Sequence, residues 1–261
     1  MSVAVSYKLI SSNIERSLAI TASRGPVKLE SAHYLKNRET ISSIDEFLAD
    51  TRLFKTAMIA FGLEDMAFAK GYMRRILEEG MGDPTSLGNR TTDPRIKEFA
   101  RAFDFARFGA DTMTRTATGQ AVVDRFVRQT MELDAGANDG EGVRLALYFE
   151  RMAPSIASPY DILADKALSQ VVRTTLGLPK EFAAADIDRQ AAVIEARVDL
   201  QEFSDADALR RFLARFTAMW DATEGVGRDP ILNLFAVGGA TRQTVSLDLA
   251  LSLQALRLGG A

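Results

Sequence analysis

Two aspartates in matching sequence contexts are the side chains of this chain that most resemble a catalytic pair. Asp50 ends the run SIDEFLAD (residues 43–50), and Asp165 ends the run SPYDILAD (residues 158–165). Paired carboxylates can carry out general acid–base chemistry, including hydrolysis. That chemistry also needs a shared cleft, which no sequence pattern reveals. We therefore interpret both aspartates as largely exposed residues on helix surfaces, close to basic neighbours such as Arg52 and Lys166.

An acidic segment with a faint resemblance to a calcium loop lies between the two aspartates. It contains Asp134, Asn138, Asp139 and Glu141, whose oxygens suit calcium. Counted from Asp134, position six is Asp139 instead of the required glycine, and position twelve is Leu145 instead of glutamate. We predict a polar loop here and no metal site.

The remaining inventory of reactive side chains is small. The chain has no cysteine, which excludes disulfides, thiolate metal sites and cysteine nucleophiles, and its one histidine is His33. His33 has no acid or nucleophile at a diagnostic spacing, so we interpret it as a surface or interface residue. The glycine pair in 237–240 lacks the lysine and hydroxyl residue of a phosphate loop and indicates a hinge. We predict no catalytic residue, no metal and no cofactor.

Charge and hydropathy give little reason to expect nucleic acid or a membrane as partner. The net charge is −3, from 32 basic and 35 acidic residues that are interspersed along the chain. No stretch approaches the roughly 18 apolar residues that span a bilayer, and the N-terminus lacks the features of a secretory signal peptide. We expect synthesis in the cytoplasm, no nucleic-acid partner and no membrane insertion. Export by a machine that reads uncleaved N-termini stays open.

The two aspartate-containing runs belong to an internal repeat that organises the chain. Residues 43–63 align without a gap with residues 158–178. Each copy starts with a serine in a capping position, Ser43 or Ser158, and ends with a Gly-Leu pair of the kind that terminates helices in left-handed conformation. We predict one helix in each of these stretches. A second helix with an apolar stripe and a third with aromatic residues should follow in both copies.

These patterns favour an all-α fold: a helical bundle built from two related three-helix units with extra connecting helices. The expected regions are a leader (1–40), the first repeat with connecting helices (41–153), the second repeat (154–225), and a hinge with an apolar tail (226–261). We expect the two units to superpose around one continuous core. The leucines expected to be buried in that core are Leu48, Leu53, Leu163 and Leu168.

Apolar stripes at both ends of the chain are the candidate partner-contact residues. The leader stripe follows helical spacing, whereas the tail stripe alternates strictly, which suits a strand or a helix with two apolar faces. A single folded surface covers only one side of the tail, so the other side needs a second element, which could be the leader itself, or another molecule. The candidates are Val3, Tyr7, Ile10, Ile14, Leu18, Val245, Leu247, Leu249, Leu251 and Leu253.

Several longer runs resemble a bacterial family of unknown function. The runs are IDEFLADTRL (44–53), AFGLEDM (60–66), FARAFDF (99–105), RLALYFER (144–151) and YDILADKAL (160–168). Together they are similar to the mainly alphaproteobacterial family numbered 1217 among domains of unknown function, over about residues 40–220. Genes of that family often lie in flagellar clusters, and no catalytic residues are established for it. The resemblance therefore implies an association with the flagellum.

Our leading interpretation is a non-enzymatic flagellum-associated protein, either a structural component or an assembly factor, that acts through protein–protein contacts. Amphipathic termini around a helical body resemble the plan of exported flagellar axial proteins. The alternative is a cytoplasmic chaperone or regulator that binds a client helix in a groove. A hydrolase that uses the repeated aspartates is a third, weaker alternative.

Overall fold

The structure of this chain, a computed structural model, describes residues 1–224, and every regular element within this range is helical. The prediction of an all-α fold is confirmed. The predictions made for the hinge at 237–240 and for the tail residues Val245, Leu247, Leu249, Leu251 and Leu253 lie outside the described residues.

Residues Met1–Asp221 form one compact unit. Its α-helices are joined by short turns, several of which form single 3₁₀ turns. In chain order the helices are α1 (Val3–Ser11), α2 (Ile14–Ser23), α3 (Gly25–Asn37), α4 (Ile44–Ala49), α5 (Thr51–Ala60), α6 (Lys70–Glu79), α7 (Leu87–Arg90), α8 (Pro94–Ala102), α9 (Phe105–Phe108), α10 (Gln120–Asp139), α11 (Glu141–Met152), α12 (Pro159–Ala164), α13 (Lys166–Thr175), α14 (Ile187–Glu195) and α15 (Ala206–Thr223).

The leader packs on the body of the protein. Its apolar stripe is divided between α1 and α2, which are separated by Ser12 and Asn13. Val3 and Tyr7 are buried, and the other three stripe residues are partly buried against the same core. A turn at Arg24-Gly25-Pro26 separates α2 from α3: Arg24 is extended, and the proline lies in the first turn of α3, where its missing N–H costs nothing.

Each copy of the repeat forms two helices where we predicted one, because its aspartate begins a new helix. The Asp50 carboxylate accepts hydrogen bonds from the N–H groups of Arg52 and Leu53 at 3.1 and 2.9 Å. Asp165 accepts from Ala167 and Leu168 at 2.7 and 3.1 Å. A short acidic side chain satisfies the free N–H groups of a first helical turn better than it fits a helix interior. The aspartates are therefore structural caps.

The two aspartates nevertheless differ in their surroundings, and the prediction that Asp165 is exposed was wrong. Asp165 is only 8% exposed, and its second carboxylate oxygen accepts a hydrogen bond from the buried Tyr148 hydroxyl. Asp50 is half-buried, so it is not largely exposed either, and it caps its helix without such a partner. The capping role of both aspartates follows from the repeated sequence. The additional contact of Asp165 comes from Tyr148 on α11, which lies outside the repeat.

The ends of the repeated helices follow the prediction. Gly62 and Gly177 have φ values of 68° and 65°, the left-handed conformation that glycine adopts without steric cost. The next residue in each copy, Leu63 or Leu178, donates its N–H five residues back, at 2.8 and 2.9 Å. This is the Schellman arrangement in both copies. Whether the complete three-helix units superpose stays a prediction.

The apolar interior consists of two clusters, so the prediction of one continuous core was wrong. The first cluster, built on α3 to α6 and α8, contains Leu48 and Leu53 and a stack of phenylalanines in which Phe47 and Phe103 have ring centroids 5.0 Å apart. The second contains Leu168, with Leu163 only partly buried at its edge. The leader stripe joins this second cluster.

Helix α10 connects the two cores. Val122 and Phe126 in its first half lie in the first cluster, and Met131 and Ala135 in its second half lie in the second. Since α10 also contacts α2, α3, α5 and α11, one 20-residue helix fixes both halves of the described molecule. The amino-acid sequence of α10 does not indicate that one helix contributes residues to both cores.

A buried ionic cluster lies where α10 leaves the first core for the second. Glu132 is 1% exposed and accepts hydrogen bonds from Nε of Arg128 at 2.7 Å and Nε of Arg151 at 2.8 Å. Arg151, on α11, also donates to Gln129 at 2.9 Å. Burial alone lowers the pKa of Arg151, but its hydrogen bond to Glu132 and the Glu132 charge raise it above the usual arginine value. We call this cluster the Glu132 clamp.

The prediction of a polar loop at residues 134–141 was wrong. Helix α10 continues to Asp139, and Gly140 alone, at φ 110°, leads into α11. Elsewhere, Asp205 caps α15: its carboxylate accepts from the Ala208 N–H at 2.7 Å. At these two boundaries a glycine conformation or a side-chain hydrogen bond decides where the helix begins or ends.

We expect Asp165→Ala to destabilise the protein more than Asp50→Ala. Both changes remove a cap, which costs about 1 kcal/mol, but Asp165→Ala also leaves the buried Tyr148 hydroxyl unpaired, which adds about 1–3 kcal/mol. Urea denaturation of the two variants measures the difference. Equal losses would show that the Tyr148 contact contributes nothing, and adding Tyr148→Phe to Asp165→Ala should recover part of the loss.

Glu132→Ala should cost about 3–5 kcal/mol, because it removes the buried anion that pairs with two partly buried guanidinium groups. The matched control is Glu141→Ala, which removes a half-exposed partner of Arg144 and should cost at most about 1 kcal/mol. Denaturant midpoints of the two variants provide the comparison. A Glu132→Ala loss no larger than that of the control would contradict the assignment of the clamp.

Candidate functional site

Two concave surfaces in the described part of the chain are large enough to accept a bound molecule. The first, which we call the leader groove, lies between α1 and α15, with α11 at its floor, and measures about 640 Å³. The second, which we call the polar cleft, lies between the two repeat copies and measures about 560 Å³. The leader groove is lined by Ala4, Tyr7, Lys8, Ser11, Ser12, Glu150, Ala206, Leu209, Arg210, Ala214 and Thr217.

Hydrogen bonds at both ends of α1 hold that helix beside the groove. The Asp221 carboxylate accepts from the N–H groups of Val3 and Ala4 at 2.8 and 3.2 Å, so an anion from α15 caps the N-terminus of α1. At the other end, the Ser11 hydroxyl donates to Oε1 of Glu150 at 2.7 Å. Helix α1 therefore forms one wall of the groove, and contacts with α15 and α11 hold it in place.

The floor of the leader groove contains two buried polar atoms without a hydrogen-bond partner among the described residues. They are the Tyr7 hydroxyl and Oε2 of Glu150. Tyr7 is 6% exposed, and its burial together with the nearby Glu150 carboxylate raises the pKa of its hydroxyl, although Ser11 and Glu150 both stand close to that hydroxyl. A buried polar group left unpaired costs about 1–3 kcal/mol. The floor is therefore incomplete in a way that a bound hydrogen-bond donor would correct.

The walls of the leader groove are mainly apolar and carry small side chains. Ala206 and Ala214 are exposed on α15, with Leu209 buried between them, and Ala4 faces them from α1. Small residues allow another backbone to approach closely. Lys8 and Arg210 stand at the edge, where Arg210 is paired with Asp207. The arrangement suits an elongated apolar guest.

An exposed apolar strip on α1 continues beside the groove. Val5 and Leu9 are 55% and 60% exposed, and as residues four apart they lie on one side of the helix. Large aliphatic side chains exposed together next to an apolar depression mark a contact surface more often than isolated ones do. This strip extends the area available to a partner.

The charged groups of the polar cleft are largely engaged with one another. Arg95 donates to Asp93 at 2.8 Å and to the Gly62 carbonyl at 2.6 Å. Burial and the Asp165 charge raise the pKa of Tyr148, which keeps its hydroxyl protonated as the donor to that carboxylate. Asp50 is not among the residues that line the cleft. The cleft therefore does not bring together Asp50 and Asp165, the carboxylate pair that the sequence offered.

Other candidate residues from the sequence stand apart from both surfaces. His33 is half-buried on α3, and its Nδ1 has no partner among the described residues. Within residues 1–224 no group of three or more metal-ligating side chains occurs. The same range contains no helix long and apolar enough to cross a membrane. Phe68, at 87% exposure, is a separate exposed aromatic residue near α6.

Of the predicted leader contacts, only Tyr7 lines the groove. Val3, Ile10, Ile14 and Leu18 pack against the second core. Sequence reasoning missed Glu150 and the exposed face of α15. One signal was available: Glu150 directly follows the otherwise apolar run of α11, where a carboxylate has little access to water.

Tyr7→Phe should leave stability unchanged or raise it slightly. The substitution keeps the ring in the second core and removes a buried hydroxyl that has no partner, so no hydrogen bond is lost. Tyr148→Phe is the matched control and should destabilise, because its hydroxyl has a partner in Asp165. Thermal melts of both variants check the contrast; a destabilised Tyr7→Phe protein would show that this hydroxyl is already satisfied.

Comparison with known proteins agrees with the fold and the sequence resemblance. A crystal structure of a protein from Agrobacterium tumefaciens, solved as a structural genomics target, is similar to this chain with a TM-score of 0.77 and 42% sequence identity, over 85% of this chain and 96% of that one. No curated protein matches the chain. The model of the family described as a protein of unknown function (DUF1217) matches residues 60–209. The chain therefore belongs to the DUF1217 family.

Proposed function

We propose that this protein is a non-enzymatic binding protein that acts through protein–protein contacts, with the leader groove as the binding surface for a helix of its partner. The observation that carries the proposal is the groove itself: about 640 Å³, apolar walls, and an unpartnered polar floor. Amphipathic helices bind such grooves by inserting residues spaced three and four apart. The exposed Val5 and Leu9 beside the groove enlarge the contact.

The shape of the groove favours a helix over a small ligand. Its α15 wall runs from Ala206 to Thr217, twelve residues or roughly 18 Å of helix. That length corresponds to about three turns of a guest helix. A groove open along its side admits such a guest without any rearrangement of α1 or α15.

The proposed biological setting is the bacterial flagellum. Its support is the resemblance to a family whose genes often lie in flagellar clusters, and the chain would act there as a structural component or an assembly factor. A cytoplasmic chaperone that holds a client helix would use the same groove, so the two roles differ in where the protein resides. Copurification with hook–basal bodies supports the first role, and recovery only in the soluble fraction with a bound client supports the second.

The test uses two alanines of the same helix, Ala214 inside the groove and Ala218 outside it, both exposed. Ala214→Gln should fill the groove and reduce recovery of the partner by about tenfold or more, equivalent to about 1.4 kcal/mol of binding. Ala218→Gln should not change it. Both variants should melt within a few degrees of the unmodified protein, since each alanine is exposed on a helix and glutamine is a good helix former.

The readout is quantitative mass spectrometry of proteins that copurify with the tagged full-length chain from the source bacterium. Partner recovery that is the same for the unmodified chain, Ala214→Gln and Ala218→Gln would overturn the proposal that the leader groove is the binding surface. Loss in both variants would place the contact on α15 outside the groove and would also overturn it.

A further inference from the structure

We propose that the leader groove selects a partner helix that carries one lysine or arginine in the middle of its apolar face, and that Glu150 binds this cation. The inference rests on the proposed function and adds the chemistry of the partner. The basic side chain would donate to Oε2 of Glu150, with the Tyr7 hydroxyl beside it as a second hydrogen-bonding group. Apolar residues on either side would occupy the alanine-lined walls.

The two oxygens of the Glu150 carboxylate have different surroundings. Its Oε1 accepts the Ser11 hydroxyl at 2.7 Å, whereas Oε2 is buried without a hydrogen-bond partner among residues 1–224. A carboxylate buried from water is costly unless it is paired and hydrogen-bonded. A guest that donates to Oε2 therefore gains more than one that only covers it.

The cations of the protein near the groove form no ion pair with Glu150. Arg128, whose charge reaches the floor near Tyr7, donates to Glu132 at 2.7 Å within the clamp. Arg210 at the edge is paired with Asp207. Lys8, also at the edge, is exposed to solvent. Oε2 of Glu150 therefore stays available to a cation of the guest.

The negative charge of Glu150 also disfavours a guest helix with an acidic residue at the centre of its apolar face. An acidic residue in the centre of the apolar face would be brought next to Glu150, and like charges at close range repel each other. A wholly apolar helix would bury Oε2 and the Tyr7 hydroxyl with no donor. Both guests are disfavoured relative to one with a central lysine or arginine, which is how a buried charge confers specificity.

The experiment is a selection from a phage-displayed library of helical peptides, with the folded full-length chain as bait and the sequences of bound peptides as readout. Binders that depend on the groove are those enriched about tenfold or more on the unmodified chain relative to Ala214→Gln. These should share apolar residues at three- and four-residue spacing, with lysine or arginine at one fixed position between them. On Glu150→Gln the apolar pattern should persist while the preference for a basic residue disappears.

The outcomes separate this inference from the proposed function. An apolar helical pattern without a preferred basic position, or a basic preference that survives Glu150→Gln, overturns the inference and leaves the groove as a helix-binding surface. No pattern that depends on the groove overturns both. Self-association of the chain that Ala214→Gln abolishes would show that the occupant is a second copy and would overturn the assignment to a partner protein.

Folding of the substituted chain is checked independently. Glu150→Gln keeps the size of the side chain and can still accept from Ser11, so its melting temperature should stay close to that of the unmodified protein. Should it unfold, Tyr7→Phe serves in its place. That variant keeps Glu150 but removes the second polar group, and the enrichment of basic residues should fall without vanishing; unchanged enrichment would overturn the role given to the Tyr7 hydroxyl.

Discussion

The buried carboxylate of Glu132 between Arg128 and Arg151 is the interaction on which the rest of the described structure depends. It lies on α10, which contributes buried residues to both apolar cores, and it joins that helix to α11. Two packed clusters of modest size would otherwise be linked mainly by short turns. Because leaving a buried charge unpaired is strongly destabilising, the clamp favours the relative position of α10 and α11 in which Glu132 contacts both arginines.

The leader groove inherits its geometry from this constraint. Glu150 directly precedes Arg151 on α11, so the contact that fixes Arg151 against α10 also fixes the carboxylate at the groove floor. Ser11 and Asp221 then bind the two ends of α1 to the body. The walls and floor of the groove are thus helices that hydrogen bonds hold in fixed positions. Such an arrangement suits the proposed selection of partners by the position of a single charge.

The repeated aspartates show how one local pattern acquires different surroundings. Asp50 and Asp165 make the same pair of backbone hydrogen bonds and begin equivalent helices. Only Asp165 lies beneath α11, where the Tyr148 hydroxyl reaches its second oxygen. The resemblance to a catalytic pair in the sequence therefore arises from a shared capping role, and the two carboxylates serve separate cores.

Local signals in the sequence determined the all-α fold, the serine caps and the left-handed glycines, because each depends on residues within a few positions of one another. Local signals did not predict the role of Asp50 and Asp165. An aspartate that caps a new helix and one that lies on the surface of a continuous helix can occupy the same position in the sequence pattern. The tertiary structure alone decided the division into two cores and the groove. Tyr7, Glu150 and Leu209 are far apart in the chain, and helical periodicity tells which face is buried without telling which other helix covers it.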